Sequence, residues 1–232
     1  ELDKLNIKHD FVMIDGSIRT NTKRIIDNEL FEENELGPDV SDKDIAKLFN
    51  KLELLNDDIV VISGSAPNNV EDDFYERMIT TLKRNNNYVI LDCSKNLFRN
   101  ALRAKPDVIK PNEKEILEYF DEDLSRSELI DKTKKLNLDL SLISLGSKGA
   151  LFIGDEVYYC PALKVKYSSA LGAGDSMVAS LAYSKLHNYN ILDTIKLAMA
   201  SASASVEACG SNPPEKDRIE EFLNEVIIEK VG

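Results

Sequence analysis

The sequence predicts an α/β protein whose mostly parallel β-sheet is covered by helices on both faces. Apolar runs at 58–62, 88–92 and 140–145 are continuous rather than alternating, which is typical of strands buried on both sides. Between these runs, apolar residues recur at helical spacing. Because each intervening helix carries the chain back across the sheet, strands that alternate with helices favour parallel pairing.

Composition places the chain among ordinary globular proteins and argues against several functional classes. The 232 residues are 43% hydrophobic and 30% charged. A formal charge of −12 makes a nucleic acid or an anionic membrane surface an unfavourable partner. The 3 cysteines are far apart and there are only 2 histidines, so neither a disulfide framework, nor a zinc site, nor a histidine-based triad is indicated. No apolar run approaches the roughly 18 residues that a membrane span needs.

The residues at 10–36 have a different pattern, and we expect them to form a small sheet or flap. Turn residues separate three short β-like segments, DFVMID, SIRTNTKRII and ELFEEN. Arg19, Asn21 and Lys23 fall at a period of two and should share one face of this flap. Composition alone favours a solvated strand face, and a cationic ligand surface is the alternative.

Residues 41–232 form the predicted core. Ser41 and Asp44 begin a capped helix. Further helices are expected at 73–82, 97–102 and 125–135, and strands at 58–62, 88–92, 140–145, 150–153 and 157–160, with another short strand beginning at 108, just before KPNE. The last two strands are predicted to be antiparallel. From 173 to 228 the pattern is helical with one break at 210–214, and the Ala/Ser-rich segment at 198–208 suits a closely packed internal helix.

Four segments that follow predicted strands are the candidate ligand-binding loops, since ligands of open α/β sheets bind beyond the carboxyl ends of the strands. They are SGSAP at 63–67, KPNE at 110–113, LGSKG at 145–149 and GAGDS at 172–176. Each contributes small or polar residues with free N–H groups, a cation or a carboxylate. The usual dinucleotide and P-loop signatures are absent from the sequence.

Two of these segments each allow two interpretations. The glycine-rich stretch Ser144–Gly149 can lie along a nucleotide phosphate or ribose, or it can be a simple turn into the next strand. Asn112 and Glu115 lie three residues apart at the start of a helix, where they could hold water molecules around Mg²⁺. Equally, Asn112 can be the N-cap and Glu115 can close a capping box, which the local sequence favours.

The segment Gly172-Ala173-Gly174-Asp175-Ser176 opens an apolar helix. Such a turn points free backbone N–H groups in one direction, and the helix dipole adds positive potential. An anion hole, with Asp175 as a proton acceptor at its edge, is one interpretation. An ordinary glycine turn, with Asp175 or Ser176 as the N-cap, is the other, and the segment alone does not separate them.

Taken together, the segments resemble the PfkB (ribokinase-like) carbohydrate kinases, and among them the group of 1-phosphofructokinases and tagatose-6-phosphate kinases. The matching stretches are ISGSAP at 62–67, VILDCS at 89–94, IKPNEKE at 109–115, ISLGSKGA at 143–150 and GAGDSMVA at 172–179. They occur in the order of the family and extend over most of the chain. The resemblance therefore implies a three-layer αβα fold with a small β-lid.

The resemblance also implies a role for individual residues. Asp175 would be the catalytic base, while Gly172, Ala173 and Gly174 would supply the anion hole for the transferring phosphoryl group. The implied ATP-binding residues are Ser144, Leu145, Gly146, Ser147, Lys148, Gly149 and Gly174. Asn112 and Glu115 map onto the segment of the family that is linked to Mg²⁺, through water. Arg19 and Asn21, in a lid segment similar to the GETRxN pattern of the family, are the expected contacts to the substrate, with Asp175.

The chain departs from the family pattern in three places. It has no counterpart of the opening strand or of the glycine-rich Gly-Gly-Lys segment that holds the sugar hydroxyls, so we expect the sheet to lack its first strand and to have an exposed edge. Ser180 replaces a glycine that follows MVA in the family. The stretch SAPN at 65–68 replaces a more glycine-rich loop.

From the resemblance we expect an ATP- and Mg²⁺-dependent kinase that converts fructose 1-phosphate into fructose 1,6-bisphosphate. Tagatose 6-phosphate is the alternative substrate, and a non-catalytic sugar- or nucleotide-binding protein on the same fold is the alternative class. The expected partner is a small sugar phosphate, with neither nucleic acid nor membrane. We further expect a homodimer formed through the β-lid and a cytoplasmic location.

Overall fold

A seven-stranded sheet is the centre of the structure, a computed structural model that describes residues 2–26, 29–67, 69–208, 210 and 212–231. The strands are β3 (Ile59–Ser63), β4 (Tyr88–Asp92), β5 (Val108–Ile109), β6 (Leu140–Ser144), β7 (Ala150–Ile153), β8 (Val157–Cys160) and β9 (Glu229–Lys230), and they lie in this order across the sheet. The pairs from β3 to β6 are parallel, and those from β6 to β9 are antiparallel. Since β8 returns to the direction of β6, five of the seven strands point one way.

A separate two-stranded hairpin precedes the sheet in the chain. Strand β1 (Asn21–Ile26) pairs antiparallel with β2 (Glu29–Asn34), and within the described residues neither joins the large sheet. The side chains of 23–26, 29–32 and 34 lie outside the part of the chain that the structure describes. The prediction of a strand at 10–15 is wrong, because this segment pairs with no strand in the part of the chain that the structure describes. Its alternate apolar side chains, Phe11 and Met13, remain exposed to solvent instead of covering a core.

The described chain has eight helices, of which the first seven cover the sheet and the last packs on the seventh: α1 (Asp42–Leu52), α2 (Phe74–Arg84), α3 (Lys95–Ala101), α4 (Glu113–Phe120), α5 (Arg126–Lys134), α6 (Ala173–Leu186), α7 (Ile191–Glu207) and α8 (Lys216–Leu223). The first five pack on one face and α6 and α7 on the other. Alternation within β4 explains how both faces are buried, because Val89 and Leu91 point into one cluster while Ile90 points into the other. The predicted three-layer αβα architecture is therefore confirmed.

The predicted element bounds are mostly right, with two corrections in the C-terminal quarter. The helical region breaks a first time between α6 and α7, where Asn188 adopts a left-handed conformation and Asn190 caps α7 by accepting a hydrogen bond from the Asp193 amide. The second correction is that the segment after α8 ends in the short strand β9, which pairs with β8. The Ala/Ser-rich helix α7 is internal as predicted, since its residues from Ala198 to Ser205 are buried.

Candidate active site

The carboxyl ends of the parallel strands bring the predicted loops together. The backbone N–H of Ser144, at the end of β6, donates to the carbonyl of Pro111 at 3.0 Å. Asn112 and Ser144 also form an isolated parallel bridge. The KPNE and LGSKG segments therefore lie side by side, as expected for two loops at the same edge of a parallel sheet.

The glycine turn at the start of α6 borders these loops. Gly172 is the N-cap and has a left-handed φ of 77°, and its carbonyl accepts a 2.8 Å hydrogen bond from the Ser176 amide. Asp175 or Ser176 as N-cap is therefore wrong, and Asp175 is instead the third residue of the helix. The first-turn amides of a helix have no carbonyl of their own helix to bond, so the amides here can receive an anion.

A cavity of about 550 Å³ connects the glycine turn with the LGSKG loop. From the predicted set it is lined by Asn112, Ser144, Gly146, Ser147, Gly149, Ala173 and Gly174, whereas Gly172 and Asp175 line a neighbouring cavity of about 680 Å³. Two members of the predicted loop do not reach it: Leu145 is buried in the core, and Lys148 is exposed, with its ammonium 3.4 Å from the Glu113 carboxylate. The cavity has the size of a small-molecule site.

Gly149 shapes one wall of this cavity by a close approach of two backbones. Its φ of 106° is rare for other residues, and a Cβ placed on it would lie 1.9 Å from the carbonyl oxygen of Cys160. No side chain fits this gap. The LGSKG loop can therefore lie flat against β8. Within the loop, the N–H groups of Leu145, Lys148 and Gly149 donate to loop carbonyls.

The opposite wall of the cavity is apolar, and no pattern in the sequence predicted it. It is formed by Ala162, Leu163, Val165, Tyr167, Met177, Met199, Ala202 and Val206. Residues from 161 to 170 lie outside helices and strands, so they have no periodicity that could have identified them. The small residues of α7 were predicted to be internal, and the structure adds that part of that helix borders a cavity.

Asn112 and Glu115 form the capping box that the local sequence favours. The Asn112 side-chain oxygen accepts from the Glu115 amide at 2.9 Å, and a Glu115 carboxylate oxygen accepts from the Asn112 amide at 2.8 Å. One carboxylate oxygen of Glu115 is not used by this box. Glu115 also lines a second, polar cavity of about 620 Å³, together with Ser65 and Ser94. Among the described residues, no group of three or more His, Cys, Asp or Glu could hold a metal directly.

Arg19 lies at the entrance to the hairpin, just before β1, and reaches the SGSAP loop. Its guanidinium donates to the Ser65 hydroxyl at 2.5 Å. Asn21 is the first residue of β1 and is exposed, whereas the side chain of Lys23 lies outside the described residues. Of the two residues on this predicted face whose side chains the structure describes, Arg19 is thus the one with a contact to the sheet edge.

Two further charged residues lie beneath the loops. The Lys110 ammonium is 3.2 Å from an Asp92 carboxylate oxygen, and both side chains are largely buried. Burial raises the pKa of Asp92, an effect that the neighbouring Lys110 opposes and that the charge of Asp175 reinforces. Burial also raises the pKa of the adjacent Cys93 to about 12, which makes this thiol a poor nucleophile.

Sequence comparisons with known proteins identify one family, and a structural comparison agrees with its fold. The model of a family described as "pfkB family carbohydrate kinase" matches residues 1–218. A 1-phosphofructokinase of Borreliella burgdorferi is 32% identical over 237 residues, covering 99% of this chain and 76% of its own. A 1-phosphofructokinase of Bacillus subtilis is 30% identical over 230 residues, covering 97% of this chain and 74% of its own. The crystal structure of phosphofructokinase-2 from Escherichia coli with potassium superposes with a TM-score of 0.88 at 22% identity, covering 97% of this chain and 76% of its own.

Proposed function

Because the chain belongs to the pfkB family of carbohydrate kinases, we propose that it transfers the γ-phosphoryl group of ATP to fructose 1-phosphate, giving fructose 1,6-bisphosphate and ADP. The observation that carries the proposal is the position of Asp175. It lies in the first turn of α6, directly after Gly174, which lines the cavity beside the LGSKG loop, while Asp175 itself lines a neighbouring cavity of about 680 Å³. A proton acceptor, an anion-binding turn and a nucleotide-sized cavity are what phosphoryl transfer requires at one place.

In the proposed reaction, Asp175 accepts the proton of the 6-hydroxyl group of the sugar. The hydroxyl oxygen forms a bond to the γ-phosphorus while the bond from that phosphorus to the β–γ bridging oxygen breaks, and ADP leaves. The amides of Gly172, Ala173 and Gly174 stabilise the negative charge that is spread over the transferring group. Alignment and charge stabilisation supply most of the rate enhancement in this type of reaction.

The cavity of about 550 Å³ is the proposed ATP site. Its apolar wall, which includes Leu163, Val165 and Met199, fits an adenine ring. The LGSKG loop and the glycine turn lie at the polar side, where backbone N–H groups suit phosphates. The nucleotide would thus be oriented with its γ-phosphate toward Asp175.

Asn112 and Glu115 fit a Mg²⁺ site only through water. Their capping box occupies one oxygen of each side chain, and the remaining carboxylate oxygen of Glu115 can accept a hydrogen bond from a metal-bound water. When bound, Mg²⁺ would neutralise the charge on the β- and γ-phosphate oxygens. The two residues lie between the polar cavity and the proposed nucleotide cavity, which is a suitable place for that role.

Arg19 is proposed to bind the phosphate that the sugar already carries. Its bond to Ser65 fixes the guanidinium at the edge of the sheet, and Ser65 supplies a hydroxyl donor beside it. Asn21 is proposed as a second contact from the same flap. A guanidinium and a hydroxyl are a common pair of phosphate ligands.

We also propose a homodimer formed through the β1–β2 hairpin, and a cytoplasmic location. An isolated two-stranded hairpin is marginally stable in water, and within the described chain this one pairs only with itself. Cys93 and Cys160 are free thiols, as is usual in a reducing compartment. Among the described helices, none is long and apolar enough to cross a bilayer.

The experiment that tests the proposed function is an assay of ADP release with three acceptors. We expect turnover with fructose 1-phosphate to exceed that with tagatose 6-phosphate and with fructose 6-phosphate. A preference for tagatose 6-phosphate would contradict the substrate but not the reaction. If none of the three is phosphorylated although ATP binds, the protein belongs to the alternative class of non-catalytic binders.

A further inference from the structure

Lys110 is a buried cation that the proposed mechanism does not use. It directly follows β5 and is only 7% exposed, and its backbone N–H donates to the carbonyl of Leu91 in β4 at 3.1 Å. Its ammonium pairs with the Asp92 carboxylate at 3.2 Å. The pair thus joins the carboxyl ends of two neighbouring parallel strands, directly below the candidate active site.

The same ammonium touches the first turn of α6. A Cβ placed on Gly174 would lie 3.2 Å from the nitrogen and 3.6 Å from Cε of Lys110. A side chain at residue 174 would therefore push the end of Lys110 away by a few tenths of an ångström. The contact places a full positive charge against the turn whose amides are directed toward the proposed phosphoryl group.

This placement is electrostatically expensive in the resting protein. The N-terminus of a helix already carries positive potential, so a buried ammonium there is repelled. Asp92 compensates, but the desolvation cost of a buried ion pair can exceed its Coulombic gain, and two apolar residues of similar size often serve equally well in such a position. A cation in this position becomes favourable when negative charge accumulates on the other side of the turn.

We propose that Lys110 is a positioning residue of the phosphoryl-transfer site: held by Asp92, its ammonium fixes the glycine turn at Gly174 and supplies positive charge behind the anion hole. The inference rests on the proposed function, since it concerns the same turn. Lys110 acts through the turn rather than by contact with the substrate. Its contribution should therefore be specific to the state in which charge builds up on the transferring group.

Kinetics of Lys110→Met and of the double variant Asp92→Asn/Lys110→Met test the proposal. We expect kcat to fall roughly 10- to 100-fold in both, because a misplacement near 1 Å at a reacting centre costs about 10²-fold. The KM values for ATP and the sugar should change less than about twofold, since ground-state binding is not affected. The double variant leaves no unpaired buried charge, so its melting temperature should return toward that of the wild type while its kcat remains low.

Lys83→Met is the matched control. Lys83 pairs with Asp107 at 2.7 Å, just before β5 at the opposite end of the same two strands. Loss of that pair should lower the melting temperature without lowering kcat. If kcat of Lys110→Met recovers in the double variant together with stability, or remains at the wild-type value, the proposal is wrong and the ion pair is structural.

A binding measurement separates this inference from the proposed function. ADP with aluminium fluoride mimics the transferring phosphoryl group and requires no particular sugar. We expect Lys110→Met to bind ADP as the wild type does and to lose at least about tenfold in affinity when aluminium fluoride is added. If the wild type phosphorylates none of the three sugars but shows this difference, the proposed function fails and the inference stands. Equal affinities of both proteins for the mimic would overturn the inference.

Discussion

Asp175 and Asp193 occupy the same position in two consecutive helices but have different surroundings. Each is the third residue of its helix, after the N-caps Gly172 and Asn190. The Asp193 carboxylate accepts a hydrogen bond from the Asn190 side chain at 2.7 Å. Gly172 has no side chain to offer such a bond, so the Asp175 carboxylate is not used by a helix cap. A carboxylate at a helix N-terminus that is not needed for capping is suited to chemistry.

The first prediction concerns this pair. Asp175→Asn should lower kcat at least about 10²-fold, because the amide cannot accept the hydroxyl proton. The affinity for ATP should be nearly unchanged, since size and position are conserved. Asp193→Asn is the control, and it should retain the wild-type kcat while weakening the cap of α7. Rapid-quench assays and nucleotide titrations measure both effects, and substantial residual activity of Asp175→Asn would exclude the assigned base.

Arg19 provides the second prediction at the level of a residue. Arg19→Ala should raise the KM for the sugar phosphate by an amount that corresponds to roughly 1.5–3 kcal/mol, as expected for the loss of a charged hydrogen bond. The KM for ATP should not change. Arg84→Ala removes a guanidinium from the exposed end of α2, away from the loops, and serves as the control. An unchanged KM for the sugar phosphate would contradict this role and support the interpretation that composition alone favours, a solvated strand face.

At the level of elements, the LGSKG loop depends on two glycines for different reasons. Both have positive φ, 60° at Gly146 and 106° at Gly149. A Cβ on Gly146 would meet no atom within 4 Å, whereas one on Gly149 would overlap the Cys160 carbonyl of β8. Backbone conformation alone restricts the first position, and the packing of the loop on the sheet also restricts the second.

This difference gives the third prediction. Gly146→Ala should cost about 1–2 kcal/mol of the free energy of unfolding, the cost of a left-handed conformation. Gly149→Ala should cost roughly 2–6 kcal/mol, because strain and overpacking each add about 1–3 kcal/mol. It should also weaken ATP binding, since the loop must move away from β8. Denaturant unfolding and nucleotide titration provide the measurements, and equal losses for the two variants would contradict the assigned role of Gly149.

For the whole molecule, sequence patterns predict the architecture better than they predict the site. The strands β4, β7 and β8 have the predicted bounds because continuous apolar runs end at polar or glycine residues. The strand expected at 10–15 does not form, because alternation alone supplies no partner strand. The apolar wall of the nucleotide cavity was not predicted, since it combines an irregular segment with one face of α7. The ion pair of Lys110 with Asp92 could not be predicted from the sequence either, because it depends on how two strands lie side by side.

The last prediction concerns assembly. The hairpin is closed at its base by a 3.1 Å hydrogen bond from the Glu35 amide to the Thr20 carbonyl, so its ends are adjacent and residues 21–34 can be replaced by two glycines. Since the hairpin pairs only with itself in the described chain, the melting temperature of the core should change little. Light scattering should report twice the mass of one chain for the wild type and the mass of one chain for the deletion variant. In kinetic assays, the deletion variant should have an increased KM for the sugar phosphate. A monomeric wild-type protein, or a deletion variant that remains dimeric, would contradict assembly through the hairpin.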